Sequence, residues 1–166
     1  MKKVNSILLA SSFAGALVLS PHLLFAHSEN DGGTAMHFDP VDTEFGAYEP
    51  DMQPTKTVEM KMDDTMRFTP DEVRVKVGDV VKFTHTNTGK LLHEMVLGTP
   101  SSLDEHAEMM KKFPGMEHEE PYMSHVQPGE SGQILWKFTQ AGEFAFGCLI
   151  PGHYDAGMKG KIIVES

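Results

Sequence analysis

The segment from Val73 to Thr86 restricts the fold more than any other part of the chain. Val73-Arg-Val-Lys-Val77 alternates apolar and polar residues, Gly78-Asp79 supplies a turn, and Val80 to Thr86 forms a second strand with Val81 and Phe83 on one face. Alternation with period 2 collects the apolar side chains on one side of an extended chain, which must then bury that side. The pattern recurs. Val58, Met60 and Met62 alternate with Glu59 and Lys61, and Leu92 to Leu97, Ile134 to Phe138 and Lys161 to Val164 read as further strands. Phe144, Phe146 and Cys148 share one strand face. Turn residues separate these runs at Asn87-Thr-Gly89, Gln127-Pro-Gly129 and Ala141-Gly142. About seven short strands with turns between them predict an all-β domain, a β-sandwich.

Residues 101–112 break this rhythm and predict one short helical insertion. Ser101 or Ser102 would cap it, Asp104 and Glu105 sit in its first turn, Lys111-Lys112 close it, and Pro114-Gly115 stop it. The start of the chain has a different character. Lys2 and Lys3 precede an apolar, small-residue run over residues 7–19, and Leu24-Phe25-Ala26 offers a cleavage site. Residues 1–26 therefore read as a signal peptide, which places the protein in the periplasm with no membrane insertion after cleavage. Residues 27–55 are acidic and rich in Gly, Asp and Pro without a sustained period, and read as a flexible tail. The domain is expected over 56–166.

The chain has 14 Lys+Arg against 24 Asp+Glu. Loss of residues 1–26 would remove Lys2 and Lys3 and no acid, leaving 12 basic against 24 acidic groups. So acidic a surface argues against nucleic acid and against adsorption to anionic lipid, and suits a basic protein partner. A monomer is expected.

Cys148 is the only cysteine, so no internal disulfide is available. It begins the run Cys-Leu-Ile-Pro-Gly-His-Tyr-Asp-Ala-Gly-Met, in which Cys148, His153 and Met158 are each separated by four residues. Pro151-Gly152 would turn His153 back toward the sulfur, and Asp155-Ala-Gly157 would reverse the chain again before Met158. His93 lies far upstream on its own strand. Taken singly, Cys148 reads as a small core hydrophobe, His153 as a turn residue and Met158 as packing. Together they outweigh those readings, because two His, one Cys and one Met form the ligand set of a blue-copper electron-transfer site. A free thiol in an oxidising compartment is a liability that metal ligation removes.

These pieces resemble the cupredoxins of the plastocyanin/azurin family. The resemblance rests on Val77-Gly-Asp-Val-Val-Lys-Phe83, Asn87 through His93-Glu94, Ala141-Gly-Glu-Phe144 and Cys148 to Met158. The ligand-loop spacing is similar to the rusticyanin and auracyanin branches. The resemblance implies a Greek-key sandwich and one type 1 copper held by His93, Cys148, His153 and an axial Met158. One departure stands out: many family members carry Asn or Ser directly after the first histidine, and this chain has Glu94. An ionised carboxylate near copper would lower the reduction potential, whereas strand alternation would point Glu94 outward.

Twelve methionines is a high count for this length. Met60, Met62 and Met66 form one cluster. Met109, Met110, Met116, His118, Met123 and His125 form another, and within it Met116, His118, Met123 and His125 are candidates for a second, weaker copper site. Core packing is the plainer reading of each. The combination resembles periplasmic cupredoxins associated with copper tolerance. Electron transfer with a redox partner such as a c-type cytochrome is the first functional expectation, and copper handling or sequestration the alternative. An enzyme is not expected: the sequence has no His-x-His pair for a trinuclear cluster, and four protein donors leave no position for substrate.

Overall fold

The computed structural model describes residues 38–116 and 118–166. The expected signal peptide and residues 27–37 lie outside the described residues. The chain forms a sandwich of two sheets. One contains β1 (Val41–Thr43), β2 (Gly46–Tyr48), β3 (Lys56–Asp63), β4 (Arg67–Thr69), β6 (Val80–Asn87) and β9 (Ser131–Lys137), in the order β1-β2-β9-β6-β3-β4. The other contains β5 (Glu72–Lys76), β7 (His93–Gly98), β8 (Met123–Val126), β10 (Gly142–Gly147) and β11 (Lys159–Glu165), in the order β5-β11-β10-β7-β8. Chain crossovers pair β3 with β6 and β5 with β11 in parallel, and the remaining pairs are antiparallel. The all-β Greek-key reading holds.

The alternation in sequence becomes the core between the sheets. On β6, Val81, Phe83, His85 and Asn87 turn inward, while Val80, Lys82, Thr84 and Thr86 stay part-exposed. Met60 and Met62 meet Phe68, Trp136, Phe146 and Ile162 in this core, so the plainer reading of that methionine cluster is the structural one. β7 is buried at every position. Its inner face meets the opposite sheet, and its outer face is covered by α1 (Pro100–Lys112), whose Leu103, Ala107 and Met110 pack on Val96, Leu149 and Tyr154. Burial on both faces is why Leu92 to Leu97 lacks a clean alternation.

Two expectations are corrected here. The flexible tail expected over 27–55 is an ordered hairpin over residues 41–48. Phe45 stacks on Trp136 at 5.2 Å, and the Trp136 indole N–H donates to the Phe45 carbonyl at 3.1 Å. Three-residue strands are too short to show a period, and their partner lies far along the chain. The helix is capped by Thr99 rather than by Ser101 or Ser102. The Thr99 hydroxyl accepts from the Ser102 N–H, and the Ser102 hydroxyl accepts from the Thr99 N–H. Pro100 then occupies the first turn, where its missing N–H has no helical partner to lose.

Candidate metal centre

The strand β10 delivers Cys148 to one end of the core, where it is fully buried. The chain then folds back on itself through the two turns expected from sequence, with Gly152 at φ +90° and Gly157 at φ +94°, backbone angles that favour glycine. The loop is tied by its own backbone. The His153 N–H donates to the Ile150 carbonyl at 2.9 Å, the Met158 N–H to the His153 carbonyl at 3.0 Å, and the Cys148 N–H to the Met158 carbonyl at 3.0 Å. Helix α1 anchors its outer side, where the Tyr154 hydroxyl donates to Asp104 at 2.9 Å and Lys111 pairs with Asp155 at 3.0 Å.

His93 enters from the start of β7. Its Nδ1 lies 3.3 Å from His153 Nδ1, and Cys148 Sγ lies 3.3 Å from the same His153 nitrogen. One donor atom from each of His93, Cys148 and His153 falls within 4.8 Å of the others. Met158 is fully buried in the same core as Cys148. Of the three clustered donors, only His153 reaches the surface.

Asp64 was not anticipated from sequence. Its Oδ1 lies 3.1 Å from His93 Nε2, so Nε2 is engaged while Nδ1 faces the other donors. The Lys90 and Leu91 N–H groups donate to the same carboxylate at 2.8 and 3.2 Å, and these backbone bonds together with His93 hold it below the usual range. Gly89 makes room for it: a Cβ there would stand 2.1 Å from Asp64 Oδ1. A carboxylate that holds the far nitrogen of a ligand histidine sets both tautomer and ring orientation. Asn87 braces the same connection from within, donating to the carbonyls of Leu91 at 2.7 Å and Val126 at 2.9 Å.

Glu94 does not take the outward position that strand alternation suggests; it lies beside the donors, bonded to the residue that follows Cys148. It is 2% exposed, so it does not face solvent. Its Oε1 accepts from the Leu149 N–H at 2.6 Å, and its Oε2 lies 2.9 Å from His125 Nε2. Alternation does point it away from His93, but that side is covered.

Burial pushes the Cys148 thiol up to about 12, while the backbone N–H groups of Glu94 and Ile150 favour its ionised form. His153 is held below its ordinary value by burial and then by His93. Both shifts favour the neutral groups. The ligating species is the thiolate, and a cation among these donors would offset the burial that opposes it. Buried thiolate, two imidazoles and a thioether are a donor set that fits copper.

The four residues considered for a second site separate. Met123 is buried in the cluster beneath α1, and His125 is paired with Glu94. Met116 and His118 remain, bordering a cleft of about 540 Å³ that also touches Met110, Glu94, His125 and His153. His106 of α1 joins them unannounced, its ring 4.8 Å from that of His118. The only sequence signal was its spacing of four from Met110, which places both on one helix face.

Comparison with known proteins agrees with this geometry. The model of the copper-binding proteins of the plastocyanin/azurin family matches residues 55–165. The chain is 43% identical over 139 residues to the copper-resistant cuproprotein CopI of Rubrivivax gelatinosus, covering 84% of each chain. It is 32% identical over 142 residues to the protein of that name in Pseudomonas aeruginosa, covering 68% of this chain and 78% of that one. Among solved structures, the auracyanin of Roseiflexus castenholzii aligns with a TM-score of 0.59 at 21% identity, over 69% of this chain and 100% of its own. Auracyanin B aligns with a TM-score of 0.59 at 23% identity, over 74% and 96%. Those two share the fold. The chain belongs to the plastocyanin/azurin family of copper-binding proteins.

Proposed function

We propose that this chain is a periplasmic single-domain copper protein that binds one type 1 copper through His93, Cys148, His153 and Met158, transfers single electrons, and serves copper tolerance. The observation that carries this reading is the convergence of His93, Cys148 and His153 within 4.8 Å on a cross-tied loop. Thiolate and thioether favour Cu(I) while imidazole suits both oxidation states, so copper supplies a one-electron couple here. The protein's part is to hold the donors still. Strands β10 and β11 pin the loop at both ends, Asp64 holds His93, and the backbone bonds fix His153 and Met158. Little has to move when the charge changes.

His153 gives the centre an edge. It borders solvent beside Leu91 and Leu92, which are 47% and 37% exposed. That apolar rim supports docking of a redox partner such as a c-type cytochrome, with the acidic surface favouring a basic one. The reading includes no catalysis, since four protein donors leave no place for substrate. Export is supported by the basic and apolar start of the chain.

Copper handling is the second reading, favoured by the relatives' name as copper-resistant cuproproteins and by the Met/His cleft beside His153. Transcription induced by copper, and a deletion strain that grows poorly on copper, are expected if tolerance is the role. A deletion strain as tolerant as its parent would remove tolerance from the reading. A centre with no reversible one-electron couple would remove electron transfer.

A further inference from the structure

Helix α1 and the loop that follows it carry chemistry that the centre does not use. His106 and Met110 lie four residues apart, on one face of α1, and Met110 borders the cleft. After the turn at Pro114-Gly115 the chain brings Met116 and His118 to the same cleft. The His106 and His118 rings approach to 4.8 Å at a tilt of 43°, so they are not stacked flat. The Nδ1 of His118 is buried and has no hydrogen-bond partner among the described residues. A buried ring nitrogen left without a partner is costly unless something else occupies its lone pair or proton.

We propose that His106 and His118, with the thioethers of Met110 and Met116, form a second copper site, selective for Cu(I), at the edge of the cleft beside the candidate centre, which Met110, Met116 and His118 line and His106 adjoins through the His118 ring. Soft thioethers select Cu(I), and neutral imidazole ligates it without adding charge. Burial, and then the neighbouring His118, disfavour a proton on His106, which keeps its ring in the ligating form. Hard cations gain little from such a set, because it offers no carboxylate pair of its own. Glu94 borders the cleft, with Oε1 accepting from the Leu149 N–H and Oε2 2.9 Å from His125 Nε2. Its negative charge lowers the cost of bringing a cation to either site. The site's use in copper handling rests on the function proposed above, but its existence does not, since it shares no donor with Cys148.

Anaerobic titration of the full chain with Cu(I) against a competing chelator tests the proposal. Wild type should retain two Cu(I) per chain. A His106→Phe/His118→Phe double variant should retain one, and after reoxidation should show the same visible sulfur-to-copper band as wild type, which proves that it is folded. A wild type that retains one, or a double variant that retains two, overturns the site. Cys148→Ser separates the two sites: it should lose the visible band and still hold one Cu(I) in the cleft. A Cys148→Ser chain that holds none overturns an independent cleft site, whereas a persisting visible band would count only against the Cys148 centre.

Discussion

Glu94 Oε1 accepts a 2.6 Å hydrogen bond from the Leu149 N–H, joining the residue after His93 to the residue after Cys148. Two donors 55 positions apart are thereby held through their immediate neighbours. A buried carboxylate does this work here, so the bond carries charge as well as position. Glu94→Gln keeps an acceptor for Leu149 and removes the charge. The copper should remain bound, and its reduction potential should rise, because the oxidised, more positive state loses a nearby anion. Voltammetry of the two proteins checks this, and equal potentials would mean that the Glu94 charge does not reach the metal.

In the proposed centre Cys148 supplies the sulfur, and a thiolate bound to Cu(II) gives an intense visible charge-transfer band. Cys148→Ala should abolish the intense charge-transfer band of the Cu(II) protein while leaving the sandwich folded, since the lost volume is small. An absorption spectrum together with circular dichroism decides it. A band that survives in the Ala variant would show that another residue is the sulfur donor.

Met158 is fully buried, and its N–H is tied to the His153 carbonyl at 3.0 Å, which supports its proposed role as the axial ligand. Met158→Leu preserves volume and removes the thioether, so copper should stay bound at a higher potential. An unchanged potential would separate Met158 from the metal.

Asp64 positions His93 and two backbone N–H groups. Asp64→Ala should weaken copper binding about 10- to 100-fold, as loss of such a supporting group does. Asp64→Asn, which keeps an acceptor, should lose less. Competition with a Cu(II) chelator gives both values, and an Ala variant with wild-type affinity would show that His93 is held by other means.

His85 gives the fold a pH dependence apart from the metal. It is fully buried, neither ring nitrogen has a hydrogen-bond partner among the described residues, and burial lowers its pKa from 6.5 to about 4. The unfolded chain therefore takes up this proton first. The neutral ring's contribution is complete above pH 6.5 and is lost as pH falls from there to about 4. The gap corresponds to roughly 3 kcal/mol at most. Denaturant unfolding of the metal-free protein at pH 7 and pH 4.5 should show the fall, and His85→Leu should reduce it. Asp63 and Asp64, whose pKa values lie below 3.8, lose their contributions at lower pH, whereas His106 and His153, also lowered from 6.5 by burial, add to the same fall and leave a residual slope in the Leu variant.

The sandwich was legible because its strands follow the simplest rule available, alternation with a period of 2. Where that rule had no room to operate, the reading failed. Residues 41–48 form strands too short to alternate, and Phe45 is ordered by Trp136, 91 positions away. β8 carries no period-2 signal, because Met123 and Val126 bury on it while Ser124 and His125 stay part-exposed or exposed. Met123, grouped with the copper-binding candidates by proximity, turns into the cluster under α1, since an unbranched apolar side chain goes where a gap exists.

What the sequence determined by itself is the local chemistry: a cysteine at the end of a strand, a histidine and a methionine at fixed spacing, and Gly152 and Gly157 where the chain must reverse. Those are properties of neighbours along the chain, and elementary backbone sterics suffice to read them. Tertiary structure alone decided what surrounds that run. It brought His93 and Asp64 to the run from separate segments, buried Glu94 against Leu149, and laid His106 of α1 against His118. Each of these is a meeting of residues far apart in sequence, set by which faces of two sheets and a helix exclude water, and no local pattern encodes it.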